Sequence, residues 1–199
     1  MATSQMYAAA QAIIRALGAA PTAAGINLLV AWMEEEDGAN STLPCNNPMN
    51  STLSEPGSHT VNYVGVECYP NLSTGVAATI ATLGNGDYNT LLQAVKTGNA
   101  SLFFGSQGRG ELGTWSTGTF GANPQYADAI YSIYQSLPSP PSQYLSDPTT
   151  STTSASTPVT NFVKDLPSSV WDIVLIGSGL ALGLAAAKFL VFERQEGAL

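Results

Sequence analysis

Glu34, Glu35 and Glu36 stand in a row at the end of an apolar run, INLLVAWMEEED. A carboxyl drawn into an apolar surface is the simplest general acid a protein can make, because lost solvation disfavours its charged form. On a helical wheel at about 100° per residue with Leu29 at zero, Met33 falls near ~40°, Ile26 near ~60°, Trp32 near ~300°, Leu28 near ~260° and Glu36 near ~340°. Glu36 therefore lies inside the apolar stripe, one turn from Trp32, where its pKa should rise toward the working range of a proton donor. Glu34 and Glu35, near ~140° and ~240°, fall at the edges of the stripe or outside it and read as solvated charges. The plainer explanation of Glu36 is that the stripe simply ends there, where Asp37 and Gly38 turn the chain. Asp37, Glu55 and Glu67 are the candidates for a second carboxylate acting beside it.

Other chemistries are less well supplied. Cys45, Cys68 and the single His59 lack the paired spacing of a zinc site, so neither a metal nor a cofactor is expected. The two thiols either close one bridge or sit reduced as small apolar residues, and the sequence leaves both open. A net charge of -8 with 6 Lys plus Arg cannot neutralise a phosphate backbone, which excludes nucleic acid as a partner. Charged residues make up only 10% of the chain against 44% hydrophobic, a balance that points to a membrane or wall setting.

The elements that must position Glu36 are mostly helical. Residues 4 to 18 have a Ser4 cap, an Ala-rich body and a Gly18 stop, and Pro21 and Thr22 open a second helix that runs to about Glu36. An irregular Asn/Ser/Gly/Pro stretch follows, then TVNYVGVECY, which reads as a strand or half a hairpin. Helices are expected again over residues 73 to 83, 87 to 96 and 124 to 137, with the Gly-rich FFGSQGRGELGTWSTGTFG between them as a loop holding at most one helical turn. The fold class is α+β: one mostly helical domain over residues 1–137 with a small β-hairpin excursion.

Residues 138–166, rich in Pro, Ser and Thr, have too little apolar content to offset the entropy of ordering and read as a linker. A single transmembrane helix is expected over 167–192, followed by a short tail, 193–199. From Val170 to Phe192 about 23 residues carry charges only at Asp172 and Lys188, enough to span roughly 30 Å of hydrocarbon. A lipid bilayer is thus an expected partner through residues 170–192. No N-terminal signal peptide is expected, since the first residues lack a positive charge and Arg15 interrupts their apolar positions. Lys188 and Arg194 on the C-terminal side, against Asp165 and Asp172 on the other, favour a domain outside the cell, whereas a span so near the C-terminus favours tail-first insertion with the domain inside. Both topologies stay open.

Five short motifs stand in one order over about residues 26 to 134: LLVAWMEEEDG, NNPMN, YVGVECYPNLSTGVAATIATLGNGDYN, ELGTWSTGTF and NPQYADAIYSIY. In this order they resemble the lysozyme-like peptidoglycan hydrolases and lytic transglycosylases of phages and actinobacteria. There a helix ends in Trp with Glu four residues on, an Asn-Pro-x-Asn segment and a Gly-Val-x-x-Tyr strand follow, and Trp-x-x-Gly precedes a closing Tyr-bearing helix. One departure is Asp37, where that family usually has a small residue directly after the Glu. The resemblance implies a lysozyme-like domain that cuts the glycan strands of peptidoglycan. It assigns Glu36 to protonation of the glycosidic oxygen, and Asn47, Asn50 and Tyr69 to the opposite wall of the cleft, with Trp115 and Tyr126 flanking it. Amides suit sugar hydroxyls and N-acetyl groups, and aromatic faces suit pyranose rings. The competing roles are turn formation for the two Asn residues and core packing for the aromatics. A membrane-anchored, virion-associated wall-opening enzyme is the expected function, with virion proteins as candidate partners and a viral membrane as its place. The alternative is a catalytically inactive lysozyme-like module that binds or builds.

Overall fold

A computed structural model of the chain describes residues 2–37 and 44–145. It is mostly helical with one small antiparallel sheet, the α+β arrangement expected of the sequence. Helix α1 (Ser4–Ala16) is capped by Thr3, whose hydroxyl accepts the Met6 N–H at 3.3 Å, one residue before the cap the sequence suggests. Helix α2 (Ala23–Asp37) opens where Thr22 Oγ1 accepts the Gly25 N–H at 3.0 Å.

Every residue of α2 from Leu28 to Met33 is fully buried, so this helix is apolar all round rather than along one stripe. It is the axis of the domain. Packed around it are α1, α4 (Asn89–Thr97), α5 (Ala100–Phe103) and α7 (Pro124–Ser136). Helix α3 (Leu72–Leu83) packs on α1, and its N-terminus is capped by Asn71, whose side chain accepts the Thr74 N–H at 2.9 Å.

The Gly-rich stretch expected as a loop is instead a full helix, α6 (Ser106–Thr117). Three glycines in a helix cost about 1 kcal/mol each against alanine, which is why the segment looks like a breaker from sequence. Close packing offsets that cost. A Cβ on Gly108 would collide with the Phe103 carbonyl, and one on Gly113 with the Ala122 backbone, so α6 lies nearer its neighbours than any other residues would allow. Glu111, 4% exposed on the same helix, accepts the Thr90 N–H at 3.1 Å and the Leu91 N–H at 2.9 Å and so caps α4 from a distance. Glu111→Ala is expected to destabilise the domain by about 2 kcal/mol, because two helix-end donors are left unpaired in a dry place. Chemical denaturation with an unchanged midpoint would show that water replaces the cap freely.

TVNYVGVEC forms a whole hairpin rather than a single strand. Strand β1 (His59–Thr60) pairs antiparallel with β2 (Glu67–Cys68), His59 opposite Cys68 and Thr60 opposite Glu67. The Asn62 side chain accepts the N–H groups of Val64 and Val66 at 3.2 and 2.9 Å and shapes the turn. A disulfide joins Cys45 to Cys68, which decides between the two states left open for these thiols. The bridge ties the 44–50 segment to β2. That segment also rests on α3, where a Cβ on Gly75 would run into the Asn46 carbonyl oxygen.

The ordered domain continues past residue 137. Asn27 donates to the Pro138 carbonyl at 3.0 Å, Gln11 donates to the Gln143 carbonyl at 3.3 Å, and Tyr144, 7% exposed, stacks on Tyr7 with ring centroids 5.5 Å apart. Residues 138–145, which compositional reading gives to the linker, are thus held against α1 and α2, because a prolyl stretch with one well-placed tyrosine has something to bury after all. Among the described residues no helix is long and apolar enough to cross a membrane. The expected span at 167–192 and the linker beyond residue 145 lie outside the described residues.

Candidate active site

Glu36 sits in the last turn of α2, where the first free carbonyls of a helix end need partners. Asn50 supplies one: held at φ 49, it donates to the Glu36 carbonyl at 2.8 Å and to Glu36 Oε2 at 3.3 Å. Trp115 of α6 donates its indole N–H to Glu36 Oε1 at 3.0 Å. Tyr126 of α7 donates its hydroxyl proton in a short hydrogen bond to the same oxygen. Trp32, one turn back on α2, donates to the Tyr126 oxygen at 2.8 Å. Four parts of the chain therefore meet at one carboxyl.

The rings around it are locked by packing. Trp32 meets Trp115 edge to face at 5.1 Å and Phe103 at 5.7 Å, while Tyr88 meets Trp115 at 5.5 Å. Burial pushes the Glu36 carboxyl above the ordinary glutamate range; the hydrogen bonds from Tyr126, Trp115 and Asn50 pull the other way, and the charge of Glu35 adds a further push upward. The Tyr126 hydroxyl is driven far above its usual range by burial and by the facing carboxylate, so it stays a proton-bearing donor. Glu36 as a whole residue is half-buried.

A raised carboxyl pKa has a consequence for stability. The neutral carboxyl is the form the fold prefers, so Glu36 favours folding below the ordinary glutamate value and this contribution is lost as pH rises through the raised one. Glu36→Gln should therefore melt higher than the wild type in mildly alkaline buffer, with the gap closing in mildly acidic buffer. A constant difference across pH, or a lower melting point of the variant in alkali, would contradict the assignment of a raised pKa.

Trp115, Tyr126 and Asn50 thus gather at Glu36, with their polar heads on its carboxyl. Asn47 and Tyr69 do not. Asn47 is 2% exposed and spends its amide on the backbone: Nδ2 donates to the carbonyls of Ser51 and Glu67, each at 2.8 Å, and Oδ1 accepts the Ser51 N–H at 2.8 Å. Tyr69, also 2% exposed, donates its hydroxyl to the Leu53 carbonyl at 2.7 Å. Both fix the base of the hairpin beside the site. Glu67 is engaged there too, accepting from Thr60 at 2.7 Å and Ser54 at 3.4 Å, and the Ser58 and Thr60 hydroxyls hold its carboxyl below the ordinary range. Glu55 belongs to the neighbouring turn, where its N–H donates to Ser58 at 3.0 Å. Neither carboxylate joins the cluster around Glu36, while Asp37 adjoins it in sequence.

Trp32, which the sequence marks as part of the apolar face of α2, also contributes to the site. It is core, but the four-residue spacing from Trp32 to Glu36 puts both on one face of α2, and that spacing is the signal that could have found it. Among the described residues no group of His, Cys, Asp and Glu could hold a metal ion. A separate cavity of about 330 Å³, lined by Tyr7, Glu34, Leu137, Pro138 and Pro141 among others, takes in Glu34 rather than Glu36 and has no share in this arrangement. No protein-family model, curated protein or solved structure matches the chain, so the reading of this site rests on its own geometry and chemistry.

Proposed function

We propose that this domain cleaves the glycan strands of peptidoglycan, with Glu36 as the general acid. The observation that carries the reading is a single carboxyl at the end of a buried helix, raised in pKa by burial and fixed by Asn50, Trp115 and Tyr126. In the proposed step Glu36 gives its proton to the glycosidic oxygen as the bond from that oxygen to the anomeric carbon breaks. A hydroxyl of the same sugar then closes on the anomeric carbon and returns its proton to Glu36, leaving an anhydro end. Water attacking in its place would leave a reducing end, the muramidase outcome. The first is favoured because the Glu67 carboxyl is occupied in the hairpin by Thr60 and Ser54, away from the cluster that holds Glu36.

The apolar run at 170–192 would tie the domain to a bilayer, with the residues after 145 as its tether, in a virion or viral membrane. Tethering supplies a high local concentration at the wall, which offsets the repulsion between a chain of net charge -8 and an anionic polymer. The Cys45–Cys68 bridge suits work outside a reducing cytoplasm. That same acidity favours the second reading, a module that binds or assembles without cutting. Incubating the full chain in detergent with purified sacculi separates the two: falling turbidity with release of soluble fragments is expected, and co-sedimentation without release would support the binding module instead.

A further inference from the structure

We propose that Trp32 and Tyr126 are positioning residues that confine the transferable proton of Glu36 to Oε2, leaving Oε1 as a permanent acceptor. The inference rests on the reading of Glu36 as a general acid and says which of its oxygens acts. It follows from the direction of three hydrogen bonds. An indole N–H can only donate, so Trp115 at 3.0 Å requires Oε1 to accept. A tyrosine hydroxyl has one proton and can donate only once. Trp32, also an obligate donor, occupies an acceptor position of the Tyr126 oxygen at 2.8 Å and so turns that one proton toward Glu36 Oε1.

Oε1 thus faces two donors whether Glu36 is charged or neutral. A proton placed on Oε1 would point at hydrogens. Among the described residues Oε2 has only the long 3.3 Å contact from Asn50, whose better bond at 2.8 Å goes to the Glu36 backbone, and so Oε2 is the oxygen left to hold a proton and to present it. Trp32 is fully buried and locked by Phe103 and Trp115, which makes the far end of this relay rigid. Among the described side chains the titratable groups that act on Glu36 are Tyr126 from α7 and Glu35 on its own helix; α6 and the 44–50 segment bring Trp115 and Asn50, which do not titrate. Because the bond from Tyr126 favours the charged carboxyl, its loss should move the titration of Glu36 upward.

The test uses the full chain in detergent and two readouts: the pH profile of sacculus clearing, and a carbon NMR titration of the Glu36 carboxyl, which needs no substrate. Tyr126→Phe is expected to shift both the alkaline limb and the NMR titration to higher pH and to lower the plateau rate by about tenfold or more, through loss of orientation. Trp32→Phe should shift them the same way by less, and the double variant should go no further than Tyr126→Phe alone, since both act through one bond. If packing loss unfolds Trp32→Phe, Tyr126→Phe carries the test by itself. An unmoved NMR titration in Tyr126→Phe overturns the inference. The same result leaves the general-acid reading intact if Glu36→Gln is inactive, whereas a shifted titration in a chain that never clears sacculi would sink the glycan reading and keep the proton assignment.

Discussion

Glu36→Gln is expected to reduce the clearing of purified sacculi by about three orders of magnitude or more, because an amide of nearly the same shape cannot protonate a leaving oxygen. The fold should survive the change. The amide oxygen can still accept from Trp115 and Tyr126, and Asn50 keeps its 2.8 Å bond to the backbone carbonyl, so only its 3.3 Å contact is lost. Glu35→Gln should lower activity little; it removes a charge that raises the Glu36 pKa but no hydrogen bond to the carboxyl. Glu34→Gln should also be nearly silent, since Glu34 lines a separate cavity. Initial rates of turbidity loss for the three variants, at matched protein concentration, decide the matter. Full activity in Glu36→Gln, or loss in Glu35→Gln alone, would remove Glu36 from its assigned role.

The second large effect is expected on reduction of the bridge. Replacing Cys45 and Cys68 by Ser should destabilise the domain by about 3 kcal/mol, the order of magnitude for a loop of this length. The bridge spans a sequence separation of 23 and ties down a segment in which Cys45, Asn46 and Asn50 all hold positive φ, at 56, 58 and 49. Such backbone is costly for residues with a Cβ and persists only where its surroundings enforce it. Asn50 is the residue of that segment that reaches Glu36, so activity should fall along with stability. Thermal melts and clearing rates of the Ser/Ser variant, measured well below its melting point, check both parts. Unchanged melting with unchanged rate would mean that Asn47 and Gly75 hold the segment without help.

What could be read in the sequence and what could not divides along physical lines. Helices α1, α2, α3, α4 and α7 announce themselves through apolar content and, in the first two, end signals such as Gly18 and Thr22, which act locally. Glu36 was legible from its place one turn beyond Trp32, although the apolar stripe that singled it out is no stripe in the fold, where every residue from Leu28 to Met33 is buried. Helix α6 was not, because Gly108 and Gly113 are chosen for what they let approach, and those partners are Phe103 and Ala122. The polar heads of Asn47 and Tyr69 could not be placed either. An amide or hydroxyl suits a sugar as well as a backbone carbonyl, and only the fold shows that the carbonyls of Ser51, Glu67 and Leu53 take them. Trp115 and Tyr126 read as ring surfaces in sequence; in the fold their N–H and O–H groups matter more, both aimed at one carboxylate oxygen.

The central claim, that a single carboxyl in this domain breaks a glycosidic bond, is tested most directly by the masses of the new ends. Purified sacculi are digested with the full chain, the soluble products are separated, and their glycan termini are read by mass spectrometry. Expected are fragments cut between sugars, whose new ends are lighter by one water than reducing ends, the mark of attack by the substrate's own hydroxyl. Products cut only in the peptide stems with the glycan intact, or sacculi left whole at an excess of folded protein, would contradict it.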